Sequence, residues 1–371
     1  MRTALALIVF GSLAFIVLSR DFVASATGRP FLGARPHWDA SNPSGSQRSR
    51  IENLDLNGVR VVRVETMNGE INVRGPDATD SNADAAGSFA SNNDAAGSFA
   101  SNNDAAGLFA SNNDAVRITE RGSVSTTISR NGDRLLIKGE GRRRLFDNAG
   151  VQFDLNLRNP VRLELDSSNG EISVTGQMVA VKANTSNGKI RVVGAGQSEI
   201  SLESGNGELQ VEGTQGPLSA STSNGEIIVR NVQPDHLRLE SGNGQITLGQ
   251  VRFGSGSHQI SSSNGEIIVR DATDASFTID TSSGQVVLER VELRPGPKSS
   301  VENSSDDIRI SGLNAPDGLR LTGETGGGST DVQLPGFNVR VEENRFEAGR
   351  DGSNPASLNL NTSGGSVRVR P

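Results

Sequence analysis

The chain has 371 residues, with 36 Lys and Arg against 43 Asp and Glu and a net charge of −7. That balance argues against a nucleic-acid partner, which needs a basic footprint. Zero cysteine excludes disulfides, thiolate metal sites, cysteine nucleophiles and a cysteine-linked lipid anchor, while 34% hydrophobic and 4% aromatic residues are thin for a globular core.

The first element is a leader. Arg2 precedes Thr3–Ser19, a run without charge that Arg20 and Asp21 end, and Ala24-Ser25-Ala26 forms a small-x-small cleavage site. Residues 1–26 therefore read as a secretory signal peptide or, if uncleaved, as a short membrane anchor, in either case an N-terminal helix. Both versions predict an exported chain: periplasmic, at the cell surface or extracellular, and tied to the membrane through residues 3–19 if the leader is retained. Residues 27–50, rich in Gly, Pro, Ser and Arg, read as a flexible tether.

Strand-like material begins at Val59–Val64 and runs into a first copy of the later repeat, Asn68-Gly69-Glu70-Ile71-Asn72-Val73. A low-complexity insertion then occupies about residues 76–114. Its decapeptides SNADAAGSFA, SNNDAAGSFA and SNNDAAGLFA fill Ser81–Ala110. Such composition predicts a loop without fixed order. A second reading makes Phe89, Phe99 and Phe109 contact points for a partner. Val124–Ile137 reads as two strands about Asn131-Gly132, a hairpin signal. Arg142, Arg143 and Arg144 read as a solvated loop, and Val151–Leu157 leads into the main array.

That array is built on S-x-N-G-E-I-x-V. Its turns are Asn169-Gly170, Asn187-Gly188, Asn206-Gly207, Asn224-Gly225, Asn243-Gly244 and Asn264-Gly265, at steps of 18, 19, 18, 19 and 21 residues. A fixed period near 20 residues signals stacked supersecondary units. Before each turn stand apolar residues at alternate positions, for example Val161-Leu163-Leu165, Val179-Val181-Ala183 and Ile200-Leu202. After it stand Ile172-Val174, Ile190-Val192 and Leu209-Val211. Period 2 places them on one face. Glycine after asparagine is read as supplying a positive φ.

Two all-β architectures fit: an antiparallel meander of hairpins, or a parallel β-solenoid with rungs of about 18–22 residues. The solenoid is preferred because it alone stacks one residue type in every turn, so that asparagine amides bond along the axis. Degraded copies at Ser282–Leu288, Ser304–Ile310, Gly326–Leu334 and Ser363–Val369 continue it. The outward slots Glu171, Lys189, Glu208, Glu226, Gln245 and Glu266 vary in charge. Ile228, Ile268 and Val287 make an outward apolar strip, covered by a nearby segment or free for a partner.

The export signal, NGEINV, VQFDLNL and serial SNGEIxV units resemble a bacterial family of unknown function labelled "putative adhesin". The resemblance covers about residues 51–371, interrupted by the decapeptides. It implies an exported β-solenoid of the cell envelope, with members tied to surface attachment or envelope-stress sensing and no catalytic motif to transfer.

Chemistry-bearing clusters are few. His236 and His258 precede neighbouring strands and lack a third ligand, and Asp306-Asp307 points to opposite faces of a strand. No phosphate loop, nucleophile elbow or cofactor motif is present. The reading is a non-enzymatic envelope protein without cofactor, presenting repeated faces to a surface, polysaccharide or protein ligand. An anchored envelope-stress sensor or peptide-binding module is one rival. A carbohydrate-active solenoid enzyme is the other.

Overall fold

The computed structural model describes residues 47–78, 114–141 and 149–371, all within one compact unit, Ser44–Pro371. The leader and its helix, the tether up to residue 46, nearly all of the decapeptide insertion and the three consecutive arginines lie outside the described residues. Every described regular element is a β-strand.

The pairing decides between meander and solenoid. Strands that enter the repeat turn, Arg162–Ser167, Ala180–Thr185, Glu199–Ser204, Leu218–Thr222, Leu237–Ser241 and His258–Ser262, pair in parallel with one another. Strands that leave it do the same: Ile172 lies in register with Ile190, then Leu209, Ile227, Ile246, Ile267 and Val286. The chain is an all-β parallel solenoid. Among the described residues a leading sheet of 15 strands and a trailing sheet of 14 strands form it. Matching registers stack apolar residue on apolar residue, Ile172 on Ile190 and Val174 on Val192 and Val211, so one continuous apolar cluster runs through the described body. Each such side chain contributes about 1.5–3 kcal/mol by leaving water.

Three ladders close the turn. Asparagine amides bond from rung to rung at 2.6–2.8 Å, from Asn68 through Asn169, Asn187, Asn206, Asn224 and Asn243 to Asn264. The Ser or Thr at the head of each repeat turns inward. Its Oγ accepts the N–H of the repeat glycine at 2.8–3.0 Å in all six turns from Gly170 to Gly265. The glycines form the third ladder, for a reason other than the one the sequence suggested. None of these six has a φ in the left-handed range. Instead, a Cβ on any of them would lie 1.6–1.9 Å from the carbonyl oxygen of the ladder glycine one rung away. The turn needs glycine because backbone passes over backbone.

The hydroxyl ladder makes a prediction. Ser204 Oγ takes the Gly207 N–H at 2.8 Å and donates to the Gly188 carbonyl at 3.4 Å, both buried. Ser204→Ala strands that N–H away from water. It is expected to cost about 1–3 kcal/mol, read from the shift of a urea midpoint, whereas the exposed Ser201→Ala should cost almost nothing.

The ends depart from simple sequential stacking. The rung Val61–Thr66 with Ile71–Arg74 docks directly on the rung at 162–175. The later rung, Arg134–Gly141 with Gly150–Asn156, stacks outside it. At the far end, Ala356–Thr362 with Val367–Arg370 inserts between the rung at 298–311 and Leu319–Thr325 with Thr330–Val332. Antiparallel strands then cover the ends. Val124–Asn131 hairpins onto Arg134–Gly141, and Arg345–Arg350 covers Leu319–Thr325. The hairpin loop is Gly132-Asp133, with Asn131 already paired to Arg134 and φ of Gly132 at 60°.

Two further readings need correction. Residues 47–50, taken for the end of the tether, begin the strand Gln47–Asn53, which pairs antiparallel with Ala115–Arg121. An almost wholly exposed strand carries no apolar alternation, so nothing in its pattern announces it. Val179, placed in the core, is 56% exposed. The chain turns a corner at Gly176 (φ 91°), which sends Met178 inward beside Gly75 and leaves the Val179 side chain outside, with its N–H bonded to the Val161 carbonyl.

Candidate functional site

The outer face of the leading sheet carries an open concavity. In each repeat the residue just before the inward Ser or Thr must point outward, because strand side chains alternate. Register therefore places Glu65 beside Asp166, Asp166 beside Asn184, and Asn184 beside Glu203. The same column continues through Ser221, Glu240, Ser261, Asp280 and Glu302. Near the amino-terminal end this column and the asparagine turns border an open groove of about 1010 Å³, also lined by Arg63, Met67, Lys138 and Glu140.

The groove is partly pre-paired. Arg63 bonds Glu65 at 2.7 Å and reaches Asp166 at 3.3 Å. Lys138 sits 2.7 Å from Glu140, whose hydrogen bond and charge hold the ammonium above its ordinary pKa. Asn184 Nδ2 donates to Asp166 Oδ1 at 2.8 Å. Glu203 has no ion-pair partner among the described residues. The result is a row of carboxylates and amides about 4.8 Å apart, suited to hydroxyl and amine groups along an extended ligand. Sequence reading missed this site. Its only signal was the slot ahead of each inward Ser or Thr, filled by Glu65, Asp166, Asn184 and Glu203.

The outer face of the trailing sheet is different. Lys189 bonds Glu208 at 2.9 Å, and Gln245 donates to Glu266 at 2.7 Å. Burial raises the Glu70 carboxyl above its usual range, and Glu171 and Asp154 add to the effect. Glu226 is raised by burial and then by Glu208 on the next rung. Ile228, Ile268 and Val287 share one column, as read from the sequence. A smaller groove of about 350 Å³ contains Ile268 and Val287, with Arg270, Arg309, Arg368 and Arg370 alongside.

The other candidate residues do not converge. His258 is 3% exposed in the core, whereas His236 is exposed and faces Ser257. Asp307 accepts the Ser366 N–H and bonds Arg309, interactions that draw its pKa down, while Asp306 binds through backbone groups. Among the described residues no cluster of three His, Cys, Asp or Glu side chains could hold a metal ion.

The rungs from Leu218–Thr222 onward continue the stacked SNG turns and their degraded copies, with the last rung inserted out of chain order. Residues 216–370 match the family model of Toastrack DUF4097. The matched segment holds the smaller groove, and the larger one lies in rungs before it that share its turn and register. No curated protein matches the chain. Among solved structures, one described as "a putative cell adhesion protein from Clostridium sporogenes" is similar at 12% identity and a TM-score of 0.19, covering 87% of this chain and 99% of that one.

Proposed function

We propose that this chain is a non-enzymatic binding protein of the cell envelope or surface, holding an extended polysaccharide along the outer face of its leading sheet. The observation that carries this reading is the groove bordered by Glu65, Asp166, Asn184 and Glu203. One outward polar group per rung matches a polymer whose own hydroxyls recur along its length. A rigid ladder binds such a polymer without ordering itself first, and successive rungs act as linked weak sites. The leader at residues 3–19 supports export, and the Toastrack segment fits a scaffold that displays a surface.

The test is retention of the chain lacking residues 1–26 on a panel of immobilised envelope polysaccharides. The double variant Asn184→Arg, Glu203→Arg places bulk and the wrong charge in the groove without touching the core. It is expected to lose at least about tenfold in affinity, some 1.4 kcal/mol, with an unchanged melting temperature. Equal retention of variant and wild type, or no retention of either on the panel, overturns the proposal.

A further inference from the structure

The chain contains nine Asn-Gly pairs. Seven lie in the ladder, from Asn68-Gly69 to Asn264-Gly265, and the other two are Asn57-Gly58 and Asn131-Gly132. Asn-Gly is the pair most prone to spontaneous deamidation, because glycine leaves the following nitrogen unhindered. That backbone nitrogen, having lost its proton to solvent, attacks the asparagine Cγ. A nitrogen–carbon bond forms, the bond from Cγ to Nδ2 breaks, and Nδ2 leaves as ammonia with a proton from water. Water then opens the cyclic imide to aspartate or isoaspartate. The reaction requires a free glycine N–H and an asparagine side chain able to swing over it.

The ladder removes both freedoms. In the six turns from Gly170 to Gly265 the glycine N–H is held by a Ser or Thr Oγ at 2.8–3.0 Å, mostly in buried surroundings. Asn169, Asn187, Asn206, Asn224 and Asn243 each donate to one neighbour and accept from the other. The side chain that must rotate is pinned at both ends of its amide. Asn68, at the ladder's edge, accepts one such bond, and the Thr66 hydroxyl that would hold its glycine has no partner. Asn57 and Asn131 lie outside altogether. Among the described residues no hydrogen bond holds either side-chain amide, and the space around Gly132 is open.

We infer that the asparagine ladder is a chemical lock as well as a structural one: it suppresses deamidation within the solenoid and leaves Asn131 and Asn57 as the reactive sites among the Asn-Gly pairs, with Asn68 intermediate. The contrast extends to the products. A carboxylate at position 131 sits opposite Arg134 and next to Arg130. A carboxylate inside the ladder has no hydrogen to donate and would face the Oδ1 of its neighbour.

The experiment uses the full chain, held folded at mildly alkaline pH and sampled over time by peptide mapping with mass spectrometry, beside a sample unfolded in urea. In the folded chain, Asn131 and Asn57 are expected to convert at least about tenfold faster than Asn187, Asn206 and Asn224, a barrier difference of about 1.4 kcal/mol. In urea all nine pairs should react at similar rates. Ladder asparagines that convert as fast as Asn131 in the folded chain overturn the inference. So does a folded-state ranking that persists unchanged in urea, since local sequence would then set it.

Discussion

Gly207→Ala is expected to destabilise the solenoid by about 4 kcal/mol, although its φ lies outside the left-handed range. The cause is space. The new methyl would sit 1.7 Å from the Gly188 carbonyl oxygen and 3.0 Å from Ser204 Oγ. Relief requires moving backbone apart in a ladder whose rungs are fixed on both sides. Gly132→Ala is the contrasting case. There a Cβ meets nothing within 4 Å, but φ is +60°, so the cost is conformational and about 1–2 kcal/mol. Urea midpoints of the two variants separate the causes. Equal losses would mean that turn conformation, rather than the approach of stacked backbones, fixes glycine in the repeat. Because neighbouring rungs support one another, the Gly207 loss should also show as faster amide exchange in the strands at 180–185, 199–204 and 218–222, ahead of the ends.

The period and the alternation made the coil readable. Ile172, Ile190, Leu209 and Ile227 had to share a face, and only parallel stacking puts Asn169, Asn187, Asn206 and Asn224 within reach of one another. The order of rungs at the ends was not readable, because every rung presents the same apolar pattern to its neighbour. Nothing in Ile71-Asn72-Val73 says that it stacks against Ile172 on one side and Phe153 on the other. The groove was hidden for a related reason. Glu65, Asp166, Asn184 and Glu203 are ordinary surface residues one by one, and they become a site only when register lines them up. Asn-Gly was recognised correctly as a turn, but for the wrong property of glycine. Sequence statistics associate the pair with positive φ, whereas here the limiting contact belongs to another rung.

His258→Leu is expected to raise stability increasingly as pH falls from 7 to 5. His258 occupies a core slot in register with Leu237, its ring edge-on to Phe253 at 4.8 Å. Its Nε2–H donates to the Gly254 carbonyl at 3.1 Å, and Nδ1 has no partner. Burial pushes its pKa below the ordinary histidine value. The Gly254 bond opposes that shift, Arg294 and His236 reinforce it, and Asp235 weakly opposes it. The sign follows from proton linkage. An unfolded chain protonates this histidine near pH 6.5, while the folded one resists, so acid draws the equilibrium toward the unfolded state. The stability conferred by the neutral ring is complete above the unfolded pKa and declines below it, by at most about 1.4 kcal/mol per pH unit. The carboxyls of Glu70, Glu226 and Asp280, raised mainly by burial, favour the folded state on acidification and so act in the opposite sense. They are common to both proteins and cancel in the comparison. Unfolding curves of wild type and His258→Leu at pH 8, 7, 6 and 5 should therefore diverge on the acid side only. Parallel pH profiles would show that the ring titrates alike in both states and has no part in the acid response.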